Sequence, residues 1–237
     1  MARALFVKIC GVTTEEDALL VAAMGADAVG MVFAASSRRI TAGVARDIVR
    51  RLPPEVLSVG VFRDESRERV VETANTIGLR VVQLHGHESP EDTRWVAERV
   101  PNVIRAFSIA DPSLEQSRLA EFGSVALLID SPMPGSGEAF DWESLDQLSL
   151  RRPFLLAGGL EPTNVAAAVE TVRPWGVDVS SGVEARPGVK DPVKVQRFIA
   201  NARHAHAVLH QDDDDGEPES PYDWSHDWSS DWSSERS

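Results

Sequence analysis

The sequence predicts an α/β protein, a single (β/α)8 TIM barrel over residues 1–208 with a disordered acidic tail over 209–237. Three observations predict it. Eight short β-rich runs alternate with amphipathic helical stretches, the pattern of a parallel sheet wrapped in helices. The 237 residues are close to the ~250 of a typical barrel and few for two independent domains. The alternation stops near His206, where an acid run and a Trp/Ser repeat begin.

Strands are expected at Leu5–Ile9, Ala28–Phe33, Leu57–Phe62, Val81–Leu84, Val103–Phe107, Val125–Ile129, Phe154–Ala157 and Val177–Val179. Runs such as VALLI and FLLA are continuously apolar, as strands covered on both faces are. Helix starts are marked between them. Thr13 and Glu16 make a capping box ahead of Ala18-Leu19-Leu20. Ser89 precedes Pro90 as cap and first helical residue, and Pro112, Pro162 and Pro192 punctuate in the same way. Eight such units fit a closed barrel better than an open doubly wound sheet, although counting alone leaves both open.

The net charge of −13 belongs mostly to the tail: residues 211–237 carry −9 and residues 1–210 only −4. With no basic patch, no nucleic-acid partner is expected. Asp212 to Asp215 and the repeat Asp223-Trp224-Ser225, Asp227-Trp228-Ser229, Asp231-Trp232-Ser233 hold too little apolar surface to offset ordering entropy. A solubilising extension is the favoured reading of this tail and a partner-binding motif the minority one. The N-terminus enters a strand-like run without a signal peptide, and no apolar run suggests a membrane span. The lone cysteine excludes an intrachain disulfide and fits the cytoplasm. A monomer and a homodimer are both open.

In such a barrel the site lies at the C-terminal ends of the strands. Those ends read Lys8-Ile9-Cys10-Gly11, Phe33 to Arg38, Gln83-Leu84-His85-Gly86, Asp130-Ser131, Gly158-Gly159 and Asp178-Val179-Ser180-Ser181-Gly182. Gly158, Gly159, Ser180, Ser181 and Gly182 follow strands 7 and 8, the usual phosphate position, where exposed amides and hydroxyls suit an anion. Gly135-Ser136-Gly137 reads as a cover over the site or as an ordinary loop.

A lone cysteine is usually a small buried hydrophobe. Strand alternation, however, puts Lys8 and Cys10 on one face about 7 Å apart. At an effective dielectric near 20, Lys8 attracts a thiolate by at most about 2.4 kcal/mol. That would bring the thiol from ~8.5 towards neutrality, making Cys10 a candidate base. Barrel closure also places strand 8 beside strand 1, so Lys8 could instead pair with Asp178. Asp130 ends a run too apolar to carry a carboxylate casually, and is either a cap or an acid opposite Cys10. These residues alone support a phosphate-binding barrel, a lyase or an isomerase.

Taken in order, Val7-Lys8-Ile9-Cys10-Gly11, Gln83-Leu84-His85-Gly86, Gly137 with Phe140-Asp141-Trp142, Leu156-Ala157-Gly158-Gly159-Leu160 with Asn164, and Asp178 through Glu184 form a specific set. Over about residues 5 to 200 the chain resembles the phosphoribosylanthranilate isomerase family of tryptophan biosynthesis. The resemblance implies an Amadori rearrangement with Asp130 as general acid and Cys10 as general base. It implies Arg38 near the anthranilate carboxylate, with Arg39 the competing neighbour, and Gln83, His85 and Asp178 as substrate-lining residues, with a small phosphosugar as the expected partner and no metal and no cofactor. Two alternatives stand beside it. One is a related isomerase of the histidine pathway, which generally has aspartate where Cys10 stands. The other is a non-catalytic barrel whose tail recruits a partner.

Overall fold

The computed structural model describes residues 5–114, 119–123, 126–130 and 153–210. Gly135-Ser136-Gly137, Phe140-Asp141-Trp142, Ser131 and the tail from residue 211 lie outside the described residues. Eight parallel strands close into a barrel: β1 (Phe6–Ile9), β2 (Ala28–Val32), β3 (Leu57–Phe62), β4 (Val81–Leu84), β5 (Val103–Ser108), β6 (Ala126–Asp130), β7 (Phe154–Leu156) and β8 (Gly176–Val179). Each strand pairs with the next, and β8 returns to β1 with Lys8 opposite Asp178. All eight expected strands are present within two residues of their expected ends.

Period-two alternation divides the apolar residues into two cores. Phe6, Val59, Val81, Ile104, Leu128 and Leu155 fill the barrel. Val7, Met31, Val82, Leu127, Ile129 and Phe198 pack between sheet and helices. Each fully buried aliphatic side chain contributes roughly 1.5–3 kcal/mol, which is why nearly every strand position is apolar. The same parity turns Lys8, Cys10, Gln83, Asp130 and Asp178 inward above the apolar layer. Polar residues at those positions are costly for folding, so they mark where the barrel is built for something else.

The helices are α1 (Glu15–Ala23), α2 (Ala42–Arg51), α3 (Arg67–Ile77), α4 (Pro90–Ala97), α5 (Val165–Val172) and α6 (Pro192–Leu209). Between β5 and β6 the described residues hold two short 3-10 turns, at Pro112–Leu114 and Ala120–Phe122. Ser89 caps α4 by accepting from the Asp92 amide, and Asp191 caps α6 ahead of Pro192, as the sequence indicates. The capping box at Thr13 and Glu16 is displaced by one residue. Thr14 is the cap and accepts from the Asp17 amide. The Thr13 hydroxyl instead donates to the Gly188 carbonyl oxygen at 2.6 Å. Adjacent threonines offer two registers, and this long-range bond selects one.

That bond ties the β1 loop to a hairpin the sequence reading did not foresee, β9 (Glu184–Arg186) and β10 (Val189–Lys190). The last helix runs to Leu209, one residue past the expected domain boundary. Among the described residues no helix is long and apolar enough to cross a membrane.

Candidate active site

On the β8–β1 side of the mouth, Lys8 is fully buried and its Nζ donates to Oδ2 of Asp178 at 2.9 Å. Lys8 pairs with Asp178 and also acts on Cys10, so its two readings coexist. Cys10 follows β1, with 8% of its surface exposed and its amide bound to the Val179 carbonyl. Burial pushes the thiol up; Lys8 and Lys190 pull it down, and Asp178 adds to the upward push. The net direction is upward, which corrects the expectation of a thiol lowered towards neutrality. Desolvation, invisible in a sequence, outweighs a lysine whose charge Asp178 already engages.

Gly30, on the neighbouring strand, makes room for this thiol. A Cβ there would lie 2.8 Å from Sγ of Cys10 and 3.0 Å from its Cα. Gly30→Ala therefore displaces the thiol, and with Cys10 as the base that the resemblance implies, kcat is expected to fall by roughly 10²-fold, the cost of about 1 Å of misplacement. Steady-state kinetics on the folded variant, checked by circular dichroism, would measure this. An unchanged kcat would mean that the position of Sγ is not critical.

Across the barrel, β4 and β6 supply the second group. Asp130 closes β6 with 6% exposure. His85 follows β4 and places Nε2 3.3 Å from Oδ2 of Asp130. Gln83, fully buried two residues earlier, sets its Nε2 2.8 Å from the other ring nitrogen, Nδ1. The loop carrying His85 is fixed from behind. The His85 amide donates to the Phe62 carbonyl at 2.8 Å, and buried Arg105 donates to the carbonyl oxygens of Gly86 and Glu88.

At the rim, Arg38 donates through Nε and Nη2 to the two carboxylate oxygens of Glu184, both at 2.8 Å. Lys190 donates to the same carboxylate at 3.0 Å and to the Ser180 carbonyl at 3.1 Å. Burial pushes the Glu184 carboxyl up, but Arg38 and Lys190 hold it below its ordinary range. Arg38 is half-buried at the site, whereas Arg39 is exposed. Sequence reasoning missed Glu184 and Lys190 as rim residues because both depend on the β9–β10 hairpin; the Pro187-Gly188 turn was the available signal.

The expected phosphate loops come together beyond β7 and β8. Gly158 and Gly159 have φ of 90° and 62°, a left-handed backbone that favours glycine. Their amides donate to no backbone carbonyl among the described residues. Asn164 holds this turn from behind, accepting from the Glu161 amide at 2.8 Å and donating to the Gly159 carbonyl at 2.9 Å. Ser180 precedes the short turn Ser181–Val183, and a side chain at Gly182 would collide with the Leu160 carbonyl oxygen, so the two loops touch. The base candidate, the acid candidate and the two candidate phosphate loops thus lie at one end of the barrel.

Known proteins resemble this chain in sequence and in fold. The model of the family "N-(5'phosphoribosyl)anthranilate (PRA) isomerase" matches residues 7–201. The chain belongs to the phosphoribosylanthranilate isomerase family. Within the family, the N-(5'-phosphoribosyl)anthranilate isomerase of Desulforudis audaxviator is 49% identical over 204 residues, covering 84% of this chain and 98% of its own. The crystal structure of the phosphoribosyl anthranilate isomerase from Thermotoga maritima superposes with a TM-score of 0.78 at 44% identity, over 84% of this chain and 99% of that one. A phosphoribosyl anthranilate isomerase in complex with reduced 1-(o-carboxyphenylamino)-1-deoxyribulose 5-phosphate superposes at 0.76 and 42% identity, over 84% and 99%.

Proposed function

We propose that this barrel isomerises N-(5'-phosphoribosyl)anthranilate to 1-(2-carboxyphenylamino)-1-deoxyribulose 5-phosphate, an Amadori rearrangement in L-tryptophan biosynthesis. One observation carries the reading. Cys10 and Asp130 turn inward from opposite sides of one mouth, with the glycine turns after β7 and β8 alongside. The phosphate is bound by amides of Gly158, Gly159 and Gly182 and by Ser180 and Ser181. The sugar then spans the barrel between acid and base.

Asp130 gives its proton to the furanose ring oxygen. The C1–O bond breaks as the anilino nitrogen lone pair closes a C1=N bond, leaving an iminium. Cys10, as thiolate, removes the proton from C2, and the electrons neutralise the iminium to an enolamine, which tautomerises to the ketone. The new cation favours the thiolate just when a base is needed. Gln83 lines the site, and Oδ1 of Asp178, buried with no partner among the described residues, is reserved for a sugar hydroxyl. The Nη1 edge of Arg38, beyond its bonds to Glu184, addresses the anthranilate carboxylate. A working thiol requires a reducing compartment, which supports a cytoplasmic location.

The test is a fluorescence assay for loss of phosphoribosylanthranilate, run beside the histidine-pathway aminoimidazole substrate. Turnover of the anthranilate compound is the expected result. Turnover of only the aminoimidazole compound would overturn the assignment, and turnover of neither would favour a non-catalytic barrel.

A further inference from the structure

We propose that His85 is a positioning residue for the general acid rather than a substrate contact. This rests on the reading of Asp130 as the acid. The imidazole lies between two partners on its two nitrogens: Gln83 Nε2 2.8 Å from Nδ1, and Asp130 Oδ2 3.3 Å from Nε2. With the Gln83 amide nitrogen as the donor, Nδ1 is the acceptor and the ring proton resides on Nε2. Gln83 is fully buried on a strand, so the tautomer is set by the barrel wall and not by solvent.

The consequence falls on Asp130. With Nε2–H 3.3 Å from Oδ2, the ring marks this oxygen of Asp130 as the one beside a donor when the carboxylate forms. When the acid's proton passes to the ring oxygen and the C1–O bond breaks, Asp130 is left as a carboxylate. Its Oδ2 then lies 3.3 Å from a donor, and the contact tightens as the charge forms. The loop behind His85 serves the same end. Arg105 holds the Gly86 and Glu88 carbonyls, and Glu88 accepts from the Gly86 amide at 2.9 Å, so the loop that carries the ring is held in place.

Two measurements test this. Imidazole 15N NMR of the full chain, with the His85 signals assigned by their loss in His85→Leu, should show a protonated Nε2 and an unprotonated Nδ1. Gln83→Leu should abolish that fixed tautomer. In kinetics, His85→Leu should lower kcat by 10- to 100-fold with KM within about threefold. His85→Gln, which keeps a donor near the Nε2 position, should recover most of the loss. A rise in KM with kcat unchanged would restore the role of substrate contact and overturn the proposal, as would a proton on Nδ1. Failure of Gln to rescue would reduce His85 to a packing role. Asp130→Asn separates the two levels: if it stays fully active, the acid is misassigned, whatever the His85 variants show.

Discussion

Cys10→Ser should lower kcat by roughly 10²- to 10⁴-fold, the contribution of a well-placed general base. The serine hydroxyl keeps the size and hydrogen-bonding capacity of the thiol but gives almost no alkoxide at usable pH. The wild-type pH profile should carry the same signature. Burial raises the Cys10 thiol above its ordinary 9.0 against the pull of Lys8. The active form is the thiolate, so it is lost as pH falls below the raised value. kcat/KM, which reports the free enzyme, should therefore climb through neutral pH and continue above pH 9. The serine variant should lack that limb. Stopped-flow or steady-state fluorescence over a pH series measures both. Retention of wild-type kcat in Cys10→Ser, or a profile already flat at pH 7, would place the base elsewhere.

The upward direction at Cys10 also shows what a sequence can and cannot carry. Strands were legible because a parallel barrel covers both strand faces, and VALLI or FLLA can satisfy that in few other ways. Strand ends were therefore legible too, and with them Cys10, Gln83, His85, Asp130 and Asp178. Closure of the barrel even made the Lys8–Asp178 pair derivable, since β8 must lie beside β1. The direction of the thiol's shift was not, because burial opposes the pull of the lysines and only the packed barrel decides which wins.

Contacts between loops were equally out of reach. The bidentate hold of Glu184 on Arg38 needs the hairpin after β8 to fold back onto the loop after β2. The approach of His85 to Asp130 needs the mutual height of β4 and β6, which strand spacing alone does not determine. Even the shift from Thr13 to Thr14 as cap was decided far away, at Gly188. Local propensity allowed either threonine, and the tertiary bond chose.

Lys8→Met should be the most destabilising single change in the barrel interior. Lys8 is fully buried and is bonded to Asp178, itself 7% exposed. Burial pushes the lysine's pKa down, yet Asp178 and Cys10 together outweigh it and hold the ammonium above its ordinary 10.5. The pair's contribution is thus complete at neutral pH and fades only as pH rises through that raised value. Methionine fills the volume but leaves a buried carboxylate without its counter-ion, which costs about 3–5 kcal/mol. At 2–4 °C per kcal/mol for a chain of this size, Tm should fall by roughly 6–20 °C. Urea or thermal unfolding followed by circular dichroism measures it, and a loss below ~1 kcal/mol would contradict the pairing. Lys8→Met/Asp178→Leu should regain most of that stability, because replacing both members with apolar groups leaves no orphaned charge. It should not regain activity: the double variant lacks both the cation opposing the upward push on Cys10 and the carboxylate oxygen assigned to the sugar. Stability and turnover then part company at one pair. That separation is expected if the barrel carries Lys8 and Asp178 for the reaction and not for the fold.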